Sequence, residues 1–237
     1  MFKFDDVFRF SKDQPKLLFE KKLPEIYAQA INDLAGRSKA GAIIVPACLV
    51  IAGFVTDFYL IQTNLFIALL TVIFIGAGGR LLTISFLKSN PGKNVQRNLS
   101  VFAVSSLLMA ISWGAGVASF FGQYGPSFPF YLILVMSAGI CAGTVTNFSA
   151  WRNLTYIYLL CMNVPPICVG LYSWSVEMIS IMSAFSAFMI YMLIQTLYRN
   201  IEYWNGMIKG HLFEAQSELL TESNELLELR MEEQKAF

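Results

Sequence analysis

Long apolar runs and short polar breaks alternate along this chain. Six apolar runs stand out, at about 41–61, 65–87, 99–121, 127–147, 154–172 and 174–198. Each is near the ~20 residues that a helix needs to cross a bilayer. The breaks carry turn signals: "QTN" at 62–64, "KSNPGK" at 88–93, "GQYGPSFP" at 122–129 and "SAWRN" at 149–153. Ahead of the first run, Leu23, Ile26, Tyr27, Ala30, Ile31 and Leu34 recur at helical spacing, flanked by Lys21, Lys22 and Arg37. Such a helix either lies on the cytoplasmic leaflet or packs on its own protein. The still earlier "FKFDDVFRF" alternates aromatics, as a short strand or an aromatic foot on the membrane would.

The last run does not end cleanly. "MLIQTLYRNIEYWNGMIKGHLFEAQ" contains no proline, so the sixth span is predicted to continue as a helix into the cytoplasm. Gly206 and Gly210 weaken it by about 1 kcal/mol each relative to alanine. Beyond them, Leu212, Ala215, Leu219, Leu226 and Leu229 follow alternating three- and four-residue steps, with Glu222 at one core position. Ile201, Trp204 and Ile208 follow the same steps upstream, but Ile208 to Leu212 spans four residues where three is due. That stutter locally unwinds a supercoil. The predicted fold is an all-α membrane protein. Residues 1–40 form a cytoplasmic segment with an amphipathic, interfacial helix, 41–198 a six-helix transmembrane bundle, and 199–237 a cytoplasmic coiled-coil helix.

Charge then sets the orientation. Lys3, Arg9, Lys12, Lys16, Lys21, Lys22, Arg37 and Lys39 precede the first span. Lys88, Lys93 and Arg97 follow the second, Arg152 the fourth, and Arg199, Lys209, Arg230 and Lys235 the sixth. The intervening loops show only Asp57 and Glu177 as charges. Every basic residue except Arg80 therefore falls in segments of one parity. Six spans with both termini in the cytoplasm satisfy the positive-inside rule, and five or seven break it.

Composition agrees. The chain is 56% hydrophobic and 14% charged, against about 25% charged in a typical soluble domain. Mean hydropathy is +0.55. A net charge of +1 without a basic stripe gives no case for nucleic acid. Cys48, Cys141, Cys161 and Cys168 lie in apolar runs without metal-ligand spacing and read as buried, inert thiols. No metal, cofactor or catalytic motif is found. The first apolar run begins near Gly41, behind some forty charged and aromatic residues, unlike a cleavable signal peptide.

A charge at membrane depth is the first functional suspect. Arg80 stands eight residues before Lys88, about 12 Å along a helix. If the helix runs on to Lys88, Arg80 is buried and needs a carboxylate, a carbonyl or a ligand anion. If the span ends near Gly79, it snorkels to headgroups. Trp113, Asn147 and Asn163 are further signal-sensing candidates, with Trp151 and Tyr156 beside them, and a pocket is predicted near Trp113 and the fifth span. Pro165 and Pro166 should kink that span. They join Gly206, Gly210, Leu212, Leu219 and Leu226 as candidates for signal transmission. Gly76 to Gly79, Gly114 to Gly116, and Gly139-x-x-x-Gly143 are expected to let helices pack closely, with a dimer interface as the other reading. The single histidine, His211, reads as a solvated helix residue.

The stretch "AQSELLTESNELLELRMEEQKAF", with Asn224-Glu225-Leu226 at its centre, resembles the signalling helix that joins bacterial membrane sensors to the dimerisation domain of a histidine kinase, including hybrid kinases. The likeness covers about residues 199–237. It implies the N-terminal sensor region of a two-component protein in the bacterial inner membrane, a homodimer through the terminal helix, and a downstream kinase domain in the same polypeptide. The acidic helix would then stop mid-pattern because its partner domain lies beyond Phe237. Similar linkers precede diguanylate cyclase domains, and a small transporter or scaffold whose tail only oligomerises has the same outline. No phosphoacceptor box, nucleotide-binding motif or cyclase motif occurs in these residues.

Overall fold

A computed structural model of the chain describes residues 16–89, 95–172 and 175–235. Among these residues there are helices and no strand. In order they are α1 (Lys16–Val55), α2 (Phe58–Ile61), α3 (Thr63–Ser89), α4 (Val95–Tyr124), α5 (Phe128–Asn147), α6 (Arg152–Tyr172) and α7 (Val176–Lys235). All except the single turn α2 are long and apolar enough to cross a membrane, which makes six candidate spans. The protein is all-helical over these residues and has the character of a multi-pass membrane protein. The "FKFDDVFRF" stretch lies outside the described residues.

The predicted amphipathic helix and first span are one 40-residue helix, α1. The "AGRSKAG" stretch between them contains two glycines but no proline. At about 1 kcal/mol per glycine, that is too little to end a helix flanked by strong apolar runs. The first span stops at Val55 rather than Ile61. Asp57 there adopts φ 56°, the left-handed conformation, which short polar side chains tolerate. The Thr56 hydroxyl bonds the Ala52 carbonyl at 2.6 Å. Asp57 and Glu177 are both exposed, and the Tyr131 hydroxyl donates to Glu177 at 3.3 Å.

The described helices divide into two compact units. The larger, Ile31–Asn200, has its core where α4 meets α3 and α6. Glycines set those distances. A Cβ on Gly76 would stand 2.7 Å from Met109 Cγ and 2.8 Å from the Ser105 carbonyl oxygen. One on Gly79 would stand 2.6 Å from Ser105 Oγ. On α4, a Cβ at Gly114 would meet the carbonyl oxygens of Cys161 and Met162 at 2.5 and 2.9 Å. Those two carbonyls lie four residues before Pro165 and Pro166, which remain inside the α6 helix. Prolines have no N–H, so these acceptors lack their ordinary helical donors. The proline pair and Gly114 thus meet at one place, where α4 backbone faces two under-bonded carbonyls, a setting suited to Cα–H···O contacts. Phe58 stacks on Phe120 with ring centroids 4.2 Å apart, and the Tyr124 hydroxyl bonds the Thr56 carbonyl at 2.7 Å.

The smaller unit takes in the described parts of Met1–Ala30 and Ile201–Phe237. Ile26 and Ala30 pack on Trp204, Met207 and Ile208. The rings of Tyr27 and Tyr203 lie against Trp204. Of the two readings for this face of α1, packing on its own protein holds for Ile26 and Ala30. His211 is not the solvated residue predicted. Its Nε2 lies 2.7 Å from Gln29 Oε1, its Nδ1 is 3.4 Å from Glu214, and its side chain is 15% exposed. Along α7, Trp204, Ile208 and Ala215 are buried, whereas Leu219, Leu226 and Leu229 are exposed.

Candidate functional site

Arg80 is the charge that the fold handles most unusually. Helix α3 continues past it to Ser89, so the side chain stays inside rather than reaching a helix end. It is 2% exposed. One guanidinium nitrogen, Nη2, donates to the Ser38 carbonyl on α1 at 2.7 Å. Gly41 makes this reach possible, because a Cβ there would stand 3.2 Å from Nη2. The guanidinium carbon lies 4.8 Å from the Phe148 ring centroid and 5.4 Å from that of Phe102. Among the described residues no carboxylate pairs with it, and its buried Nε has no hydrogen-bond partner. A buried cation held by one carbonyl and two aromatic faces is short of counter-charge.

Arg80 also lines a cavity of about 250 Å³. Its walls come from α1 (Gly41, Ile44, Val45, Cys48), α5 (Met136, Gly139, Ile140, Gly143, Thr144, Asn147) with the following Phe148, and Tyr158 of α6. Polar groups are few: Arg80, Thr144, Asn147 and Tyr158. Ile44, Gly139 and Gly143 are exposed, and nothing lies within 4 Å of a Cβ built on either glycine. Among the described residues, the Gly139-x-x-x-Gly143 pair therefore packs against no other helix. It leaves the α5 side of the cavity bare.

The turn after α5 fixes the aromatic lid over Arg80. Phe148 ends α5, its N–H bonding the Thr144 carbonyl. Three elements then hold the turn. The Thr155 hydroxyl of α6 donates to the Phe148 carbonyl at 3.1 Å. Arg37 of α1 donates to Ser149 Oγ at 3.3 Å. Asn200 of α7 donates to the Ser149 carbonyl at 2.6 Å. The cavity wall and α7 are therefore linked by a short path: the Arg80 guanidinium lies over the Phe148 ring, and the next residue, Ser149, accepts from Asn200.

Of the predicted sensing residues, the structure brings Arg80 and Asn147 to one cavity and leaves Trp113 and Asn163 elsewhere. Trp113 is fully buried in the core, its Nε1 donating to Ser137 Oγ at 3.0 Å. Asn163 is 1% exposed and donates to the Leu159 carbonyl at 2.7 Å, with Cys141 alongside. Trp113 is enclosed by its neighbours, and it does not line the cavity at Arg80. Trp151 and Tyr156 are half-buried and line no part of it. The cysteines are free but not uniformly buried: Cys141 is buried, Cys48 and Cys161 are intermediate and Cys168 is exposed. Gly206 and Gly210 have open space around them, Leu212 is half-buried, and Leu219 and Leu226 are exposed. Sequence reasoning passed over Ser38, Gly41, Phe148, Ser149, Tyr158 and Asn200. The apolar and small ones carry no signal of their own. The Asn200 amide, polar just after the sixth apolar run, was the one legible hint.

Set against family models, curated proteins and solved structures, the chain matches none.

Proposed function

We propose that this chain is the membrane-embedded input module of a bacterial sensory protein, with α7 carrying a change of state from the spans to a cytoplasmic output such as a histidine kinase. The observation that carries this reading is α7 itself. It is helical without a break from Val176 to Lys235. Its first part buries Met178, Met182, Phe185 and Met192 in the core of the larger unit, and its last part bears leucines at coiled-coil spacing. Asn200 lies between and bonds the turn that covers Arg80. In this account six spans cross the inner membrane with both termini in the cytoplasm, as the distribution of Lys and Arg requires.

Exposed Leu219, Leu226 and Leu229 would meet their equivalents in a second copy, because a heptad stripe is self-complementary between parallel helices. Gly206, Gly210 and the stutter between Ile208 and Leu212 supply a soft stretch where the helix changes phase. Only a few kcal/mol of differential affinity shifts such a two-state equilibrium substantially. A diguanylate cyclase as the output has the same mechanics. No feature here favours a transporter, since paired interrupted spans are lacking among the described residues.

The test is helical phase. One to seven alanines are inserted after Gln216 in a protein carrying a reporter kinase domain after Phe237. Output should swing with each residue added and return at seven. Activity indifferent to insertion length would rule out transmission through α7.

A further inference from the structure

The cavity at Arg80 has the chemistry of a binding site, and its walls state what it takes. A guanidinium is charged at neutral pH and offers five N–H donors in a planar fork that fits two oxygens of one anion. Here one bond goes to the Ser38 carbonyl, while Nε is buried without a partner. The rest of the wall is chiefly apolar, with Ile44, Ile140 and Phe148 among its residues. The site thus combines one unneutralised cation with a hydrocarbon surface. Its volume of about 250 Å³ equals roughly eight water volumes at ~30 Å³ each, room for a small head group and a few methylenes. Gly139 and Gly143 leave a side opening through which a longer tail could run along α5.

We propose that this cavity binds a lipophilic monocarboxylate, a fatty-acid-type anion whose carboxylate pairs with Arg80 and whose chain lies on Ile44, Ile140 and the bare Gly139–Gly143 face. A carboxylate fits the small head space better than a substituted phosphate, and it neutralises the guanidinium where no described side chain does. That such a ligand acts as the stimulus, by moving the Phe148–Ser149 turn and with it Asn200, rests on the sensory reading above. That it binds does not.

The experiment uses the purified chain in phosphatidylcholine nanodiscs with radiolabelled decanoate, and decanol as the uncharged probe of equal length. Decanoate should bind saturably, one per chain, at least about tenfold tighter than decanol. Arg80→Gln should remove that preference, read as the ratio of the two affinities. Gly143→Leu, which grows into open space and leaves the core intact, should weaken both probes about tenfold or more. Equal binding of the two probes, or full binding by the Gly143→Leu protein, would overturn the proposal. So would loss of decanoate binding in phosphatidylglycerol nanodiscs but not in phosphatidylcholine at high salt, where surface repulsion of the anion is screened, since the occupant would then be a phospholipid head. Should Arg80→Gln not fold, Arg80→Lys keeps the charge without the fork and should retain only part of the preference. Cross-linking of Leu219→Cys chains, read in the same samples, separates the two ideas. Binding without a change in cross-linking retires the ligand as a stimulus and leaves the site. Absence of binding retires the site and leaves the sensory reading standing.

Discussion

Helices α4 and α5 have neighbourhoods that treat the same residue in opposite ways. On the α4 side, Gly76, Gly79 and Gly114 sit where a single added carbon would strike a neighbouring helix. On the α5 side, Gly139 and Gly143 sit where it would touch nothing. The first three are glycines because backbones must approach, and the last two leave a surface bare beside a buried cation. Spacing alone cannot tell these apart. A small-x-x-x-small pattern announces the lack of a side chain, and only the partner decides whether that lack serves contact or access.

The comparison can be broken most forcefully at Gly114. Gly114→Val drives carbon into the carbonyl oxygens of Cys161 and Met162, which cannot rotate away as a side chain would. A loss of about 3 kcal/mol is expected, near the top of the usual overpacking range, seen as a collapse of the thermal midpoint in detergent. A midpoint close to that of the parent would mean that α4 and α6 are not in backbone contact. Asn200→Ala comes next. It removes the amide that satisfies the buried Ser149 carbonyl and should cost about 1 to 3 kcal/mol, with a greater effect on coupling between the spans and α7 than on folding. Trp113→Phe loses the bond to Ser137 and part of a fully buried indole, for about 2 kcal/mol. Ser137 retains its own bond to the Ile133 carbonyl, so a loss near zero would mean that the indole is not tightly packed. At the small end, Gly139→Ala and Gly143→Ala should each stabilise by about 0.5 to 1 kcal/mol, since helical glycine is entropically costly and these positions have room. Destabilisation at either would show that a second copy packs there, which was the dimer reading of this pair.

How much of this was legible beforehand follows from range. The long helices are properties of local composition, and runs of about twenty apolar residues announced each span to within a few residues at most ends. The continuity of α1 was missed because a glycine-containing polar stretch looks like a linker when its neighbours are read separately. Arg80 stood out because a lone charge in an apolar run is costly anywhere, and its burial followed once α3 was seen to continue to Ser89. Trp113 and Asn163 attracted attention as polar groups that could line an interior, yet Trp113 is satisfied by Ser137 and Asn163 by the Leu159 carbonyl and Cys141, in a packed core. The polar residue that needs explanation is the one left incompletely paired, and pairing across 42 residues, as between Arg80 and Ser38, is not written in any local pattern. Phe148 is held in the cavity wall, with Ser149 behind it, because Arg37, Thr155 and Asn200 converge on this turn from three separate helices.

The central claim is that α7 carries the state of the spans into a paired cytoplasmic helix, and cysteine cross-linking in native membranes tests it most directly. In a background with Cys168 replaced by serine, Leu219→Cys and Leu226→Cys should form disulfide-linked dimers. Ser217→Cys and Asn224→Cys, on the opposite face of the same heptads, should not. Cross-linking equal at all four positions, or absent from all of them in correctly inserted protein, would contradict the account.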